Sequence, residues 1–84
     1  MTPVLTNTLE AEVIGDEMVI YNSATEAAVH LNQSGTLIYQ LIDGERTSSE
    51  IIKILSEAFP DADIERDVAT LLKELADAKV ISYL

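Results

Sequence analysis

The stretch Val29-His30-Leu31-Asn32-Gln33-Ser34-Gly35-Thr36-Leu37-Ile38-Tyr39-Gln40-Leu41-Ile42 is where the chain changes its period. Up to Leu31 the pattern is that of a strand, with Ala27, Val29 and Leu31 on one face and His30 turned outward. From Leu37 on, Leu37, Ile38, Leu41 and Ile42 form an apolar stripe at helical spacing. Asn32 or Ser34 supplies the side-chain oxygen that caps the first amides of that helix. The chain therefore divides near Asn32 into a strand-forming front and a helical back.

In front of this junction, Leu9, Ala11 and Val13 alternate with Glu10 and Glu12, as in a half-buried strand. Gly15-Asp16 follows, then Met18-Val19-Ile20-Tyr21. Glycine at the first central position of a two-residue loop predicts a type II′ hairpin. Asn22-Ser23-Ala24-Thr25 predicts the turn into a third short strand, Ala27 to Leu31. Behind the junction, Asp43-Gly44 predicts a helix stop, because glycine accepts the left-handed conformation. Thr47-Ser48-Ser49-Glu50 is a capping box. The helix it opens is expected to bury Ile51, Ile52, Leu55 and Phe59 and to close at Pro60. Asp61 or Asp63 caps a third helix running from about Ile64 to Ala78. Val80 to Leu84 reads as an extended tail, and Val4-Leu5-Thr6 carries no clear pattern. The expectation is one α+β domain over residues 1–84, a three-stranded antiparallel meander followed by three helices in a winged helix-turn-helix-like order.

Composition narrows the function. A chain of 84 residues buries only roughly 60–65% of its unfolded surface, so its elements are few and its stability modest. Fifteen acidic residues against five basic ones give a formal net charge of −10. Nucleic-acid affinity rests largely on Lys and Arg contacting phosphates. Here Arg46, Lys53, Arg66, Lys73 and Lys79 are spread along the chain among acids, which argues against a nucleic-acid partner. No apolar run approaches the ~20 residues of a membrane span, and Met1-Thr2-Pro3-Val4-Leu5 lacks the pattern of a signal peptide. The absence of cysteine removes thiolate chemistry and disulfides and fits the cytoplasm.

The catalytic inventory is nearly empty. His30 is the only histidine, and no nucleophile motif accompanies it. A metal site would need His30 joined by distant carboxylates. Gly15, Gly35 and Gly44 form no phosphate loop. Asp61 with Asp63 reads as caps and solvated surface. No enzyme chemistry and no cofactor site are legible.

The third predicted helix is wider on its apolar side than one contact requires. Ile64, Val68, Leu71 and Leu75 cluster as a core stripe at about 100° per residue. Leu72, Ala69 and Ala76 extend the apolar surface to one side, with Arg66 and Lys73 seven residues apart beside it. Extra packing on the sheet or second helix would account for this width. A groove wall would account for it equally, with Ala69 and Ala76 leaving space, Leu72 giving contact, and the two cations meeting an acidic stretch of peptide. The opposite wall would be the third strand. In a sequential meander it is a sheet edge, and Ala27, Ala28, Val29, His30 and Leu31 include no lysine or proline to discourage a guest strand. The same free edge is open to pairing with a second copy of the chain.

The run Val29 to Thr47, continued by Glu50-Ile51-Ile52 and later by Asp67-Val68 with Leu71-Leu72-Leu75, resembles the PqqD family over roughly residues 9 to 81. That family includes the pyrroloquinoline quinone biosynthesis chaperone and related precursor-peptide recognition domains. The shared pattern is a strand ending in Leu-Asn, a helix with apolar-aromatic pairs, Asp-Gly plus a basic residue and Thr or Ser, and then Glu-Ile. The resemblance implies a non-enzymatic domain that binds the leader of a ribosomally made precursor peptide as a strand added to the third strand, against the third helix. Carried over by element, the groove would comprise Ala27, Ala28, Val29, His30 and Leu31 on one side and Arg66, Val68, Ala69, Leu72, Lys73 and Ala76 on the other. Asn32, Gly44 and Thr47, the most recognisable positions, are explained by capping and turns. Relatives serve maturation enzymes such as radical S-adenosylmethionine proteins and leader peptidases of lasso peptide pathways. The rival reading is a winged-helix regulatory or DNA-associated domain, which would need basic residues on its recognition helix.

Overall fold

The computed structural model describes all 84 residues. The meander consists of β2 (Leu9–Ile14), β3 (Glu17–Asn22) and β4 (Ala27–Leu31), antiparallel and adjacent in that order. Its first loop is Gly15-Asp16, where Gly15 takes a φ of +66° and Asp16 stays at negative φ, the type II′ pattern. A side chain at Gly15 would be strained by that φ alone. Three helices follow: α1 (Gln33–Gln40), α2 (Ser48–Ala58) and α3 (Ile64–Asp77).

The caps fall mainly where the side chains dictate. Asn32, not Ser34, caps α1, its Oδ1 accepting from the Gly35 amide at 2.9 Å. Thr47 and Glu50 close the capping box of α2 in both directions, at 3.1 and 2.9 Å. Asp63 caps α3. The first helix is shorter than its apolar stripe, ending at Gln40, so that Leu41 and Ile42 lie beyond it although Ile42 remains buried. The turn after it is held by Asp43, whose carboxylate accepts from the amides of Glu45 and Arg46 at 2.9 and 2.8 Å and from the Arg46 guanidinium at 3.0 Å. Phe59, expected in the core, lies at the surface. It sits at the C-cap of α2 and is 46% exposed, because the helix ends there and carries the ring past the packed stripe.

The two segments with no clear element of their own pair with each other. β1 (Pro3–Leu5) and β5 (Ile81–Tyr83) form a second, two-stranded antiparallel sheet, with Pro3 opposite Tyr83 and Leu5 opposite Ile81. The route into β5 is a tight C-terminal motif on α3. The amide of Lys79 bonds to the Ala76 carbonyl and the amide of Val80 to the Leu75 carbonyl, the Schellman arrangement. Lys79 occupies the left-handed position, φ +61°, which glycine ordinarily fills.

Helix α1 packs on the inward face of β3 and β4, α2 on α3, and α3 on β5. Ile20, Leu31, Ile51, Val68, Leu75 and Val80 are completely or almost completely buried where these layers meet. The β2–β3 tip stands clear of the helices, with Val13 and Ile14 exposed. Asn22 and Thr36 are the buried polar residues, and of the two it is Asn22 that bonds across the fold. Its Oδ1 accepts from Thr8 Oγ at 2.8 Å and from the Ala24 amide at 3.0 Å, and its Nδ2 donates to the Lys79 carbonyl at 2.8 Å.

Two consequences are measurable. Asn22→Ala strips partners from three polar groups at once, and unmaking buried hydrogen bonds costs about 1–3 kcal/mol per group left unsatisfied. We expect a loss of about 2–4 kcal/mol in urea unfolding, with an unchanged m-value. The Asp43 carboxyl is held below its ordinary titration range by the Arg46 and Glu45 amides first and the Arg46 charge second. A depressed folded value contributes stability above the unfolded value, about pH 3.9, and loses it as pH falls through the folded one. The stability difference between wild type and Asp43→Asn is therefore constant above about pH 5 and shrinks below pH 3.9. A difference that grows on acidification would contradict this.

Candidate functional site

β4 is a sheet edge, and its register fixes which backbone groups are free. In an antiparallel ladder the N–H and C=O of one residue point to the same side, and the side alternates along the strand. Ser23 donates to the Thr8 carbonyl at 3.2 Å, and Ile14 and Glu17 flank the two-residue hairpin loop. The odd-numbered residues of β3 therefore bond to β2, and Met18, Ile20 and Asn22 bond to β4. Their partners there are Leu31, Val29 and Ala27. Ala28 and His30 turn their N–H and C=O groups away from the sheet, toward the open side.

Beside the C-terminal end of this edge lies an open cleft of about 680 Å³. His30 and Leu31 form its strand side, Asn32, Ser34 and Gly35 its floor at the start of α1, and α3 its far wall. Gly35 lets α1 and β4 approach closely at this junction. A Cβ there would lie 3.3 Å from the Leu31 Cβ, so that Leu31 would have to give by a few tenths of an ångström. On the outer sheet face, His30 Nε2 lies 2.9 Å from Glu17 Oε1, with both side chains largely exposed. Ala27, Ala28 and Val29 continue the free edge beyond the cleft, with Ala27 and Val29 half-buried toward the core.

The wall on α3 is not the flank expected from the sequence. Arg66, Asp67, Thr70, Leu71 and Glu74 face the cleft, with Asp63 at its end. Of the α3 residues singled out in advance, only Arg66 lines it. Val68 and Leu72 are 0% and 4% exposed and belong to the core. Ala69, Lys73 and Ala76 lie on the other side of the buried stripe, where Lys73 Nζ meets Asp77 Oδ2 at 3.5 Å. Leu72 and Leu71 exchange roles, Leu72 being buried and Leu71 half-buried at the cleft. An amphipathic helix has two flanks, and its own periodicity cannot say which one meets the sheet. That is decided by how the chain crosses from β4 through α1 and α2. As a result the cleft is not rimmed by a cationic pair. It presents Arg66 among Asp63, Asp67 and Glu74.

Nowhere do three or more metal-ligating side chains converge, and no helix is long and apolar enough to cross a membrane. The site offers an unpaired strand edge and a mostly polar and charged wall on α3, with Leu71 as its apolar member.

Comparison with known proteins agrees with this architecture. Two solved structures superimpose along nearly their whole length. TbiB1 in complex with the TbiA(beta) leader peptide has a TM-score of 0.81 at 22% identity, covering 94% of both chains. Lasso peptide synthetase B1 complexed with its leader peptide has a TM-score of 0.80 at 19% identity, covering 98% of this chain and 99% of that one. At these identities the likeness is one of fold. Among curated proteins, the PqqA binding protein of Acinetobacter baylyi (strain ATCC 33305 / BD413 / ADP1) is 46% identical over 50 residues, 58% of this chain and 50% of that protein. The PqqA binding protein of Rahnella aquatilis is 41% identical over 59 residues, 69% of this chain and 62% of that protein. The matched stretches thus span half to about three fifths of those relatives. The family model of coenzyme PQQ synthesis protein D (PqqD) matches residues 17–81, from the start of β3 into β5, and so the chain belongs to the PqqD family.

Proposed function

We propose that this chain is a non-catalytic recognition module that binds the leader of a ribosomally made precursor peptide and presents it to a separate maturation enzyme. The observation that carries the reading is the free edge of β4, with Ala28 and His30 offering unpaired backbone groups alongside the cleft against α3. A guest strand would satisfy those groups by main-chain hydrogen bonds, the mode known as β-augmentation. Support comes from membership of the PqqD family, from relatives named for binding PqqA, and from fold neighbours solved with leader peptides. Binding peptide and enzyme together raises their effective concentration, so the module accelerates a modification without chemistry of its own. A radical S-adenosylmethionine protein or a leader peptidase in the cytoplasm fits this role. The acidic surface would steer a basic partner. A dimer formed through β4 would occupy the same edge and so compete with the leader. A DNA-reading role is not favoured, since the open face of α3 sets Asp63, Asp67 and Glu74 against Arg66.

The test is titration of labelled protein with the synthetic leader of the nearest encoded precursor, followed by amide shifts. Shifts are expected at Ala28, His30 and the Arg66–Glu74 side of α3. Saturating peptide with no shift there removes the edge as the site. Ala28→Pro deletes one outward amide while leaving the ladder to β3 intact, because proline is tolerated where its nitrogen faces solvent. It is expected to weaken the leader at least tenfold, about 1.4 kcal/mol, with little change in Tm. The two flanks of α3 separate as well. Leu71→Glu is expected to weaken binding more than tenfold, whereas Ala69→Arg and Lys73→Glu keep the Kd within twofold. The reverse ranking would move the peptide to the far flank.

A further inference from the structure

The outer face of the meander, opposite the one on which α1 packs, carries no helix. Side chains alternate along the strands, so Glu10, Glu12 and Ile14 of β2 share this face with Glu17, Val19 and Tyr21 of β3. The register sets Ile14 opposite Glu17, Glu12 opposite Val19 and Glu10 opposite Tyr21. Ile14, Val19 and Tyr21 are therefore diagonal or same-strand neighbours, an apolar row with carboxylates on both sides. Ile14 is 58% exposed and Tyr21 37%, and Val13, turned the other way at the hairpin tip, is 62% exposed. Single exposed apolar side chains are ordinary. A contiguous row of them rimmed by charge is the pattern of a protein–protein contact surface.

The charge of this face has one sign. Every Lys and Arg of the chain stands at Arg46 or beyond, so the meander itself holds none. Glu17 is paired only with His30, at 2.9 Å, and Glu10 and Glu12 have no ion-pair partner. Such a face repels nucleic acid and anionic lipid. It also repels a second copy of itself, because like charges brought together across an interface are costly. What complements it is a protein surface that sets Lys or Arg around an apolar centre.

We propose that this face, centred on Ile14, Val19 and Tyr21, is where the maturation enzyme docks, through a basic surface of that kind. The role rests on the leader-presenting reading above and gives the enzyme a place apart from the leader's. The leader's cleft lies off the edge of β4, between that strand and α3, so a guest strand leaves the outer face uncovered. The two sites are nonetheless continuous. A strand added beside Ala28 and His30 extends the sheet and turns every second side chain onto the same outer face. An enzyme seated there touches the module and the bound leader at once. Tyr21 supplies an aromatic anchor of the type enriched at interface centres, and the unpaired acids steer the approach.

The experiment is titration of the full chain with the purified maturation enzyme encoded nearest to it, with and without saturating synthetic leader. Wild type is expected to bind in both cases, more weakly as salt rises. Ile14→Thr combined with Tyr21→Thr keeps strand-forming residues. This pair is expected to weaken the enzyme by about tenfold or more, as loss of interface anchors does. Glu10→Lys combined with Glu12→Lys is expected to act similarly and to flatten the salt dependence. Both double variants are expected to hold the leader within about threefold of wild type, since they leave the β4 backbone and the α3 wall intact. Circular dichroism checks their fold. The proposal is overturned if either double variant binds the enzyme as wild type does, if the leader displaces the enzyme, or if wild type does not bind it at all. A dimer that both variants dissociate while enzyme binding persists would give the face to a second copy instead. Failure of the leader reading shows separately: a leader that does not bind, or that ignores Ala28→Pro, removes strand addition whatever the enzyme does.

Discussion

Asn22 ties three separate parts of the chain to one buried side chain. A buried amide is tolerated only when its donors and acceptors are matched. Here the side chain reaches Thr8 ahead of the sheet, Ala24 in the turn toward β4, and the Lys79 carbonyl after α3. The last of these spans 57 residues and joins the meander to the end of the helical half. It also meets Lys79 where the backbone is costly, since a side chain in the left-handed region sits in a sparsely populated conformation. The bond to its carbonyl helps fix that turn and with it the direction of β5. These bonds join the meander to the end of α3, beside the core contacts that Val68, Leu72 and Leu75 share with Ile20 and Leu31.

What could be read from the sequence follows the range of the interactions concerned. The Gly15-Asp16 hairpin, the Asn32 cap and the Thr47–Glu50 box are each closed within a few residues, and each is present in the fold as read. The pairing of β1 with β5 was not legible. Each strand is three residues long, and its partner lies at the other end of the chain. The end of α3 gave no glycine to mark the Schellman turn, because Lys79 stands there. The site was legible in part. That β4 would be a free edge and α3 the facing wall could be seen, and His30, Leu31 and Arg66 do line the cleft. Ala69 and Ala76 look like spacers from one helix alone and Thr70 and Glu74 like ordinary solvated positions, yet it is the flank of Thr70 and Glu74 that lines the cleft. Phe59 reads as core because a large apolar residue at helical spacing does so until the helix end places it at the surface.

The sheet treats its two edges differently. β2 bears Glu10 and Glu12 on its outer face, so a second copy laid against it would set carboxylates opposite carboxylates, which is destabilising. β4 presents Ala28 and His30, with no charge directed at a newcomer except the Glu17 carboxylate beside His30. Strand edges are liabilities unless they are blocked or used. The outer edge of β2 is guarded by like charge and that of β4 is left open, and the cleft limits what reaches β4 to something narrow, such as a single extended chain.

The pairing of β1 with β5 also sets how the fold responds to force. Thr2 accepts from the Leu84 amide, and Pro3 lies opposite Tyr83, so both ends leave the small sheet from the same side. A pull on the two ends therefore opens that ribbon like a zipper, one bonded pair after another, whereas strands loaded in shear must lose several pairs together. Traction at the termini would peel away β1 and β5 first, and would then reach the Lys79 turn from one end and β2, the outer strand of the meander, from the other.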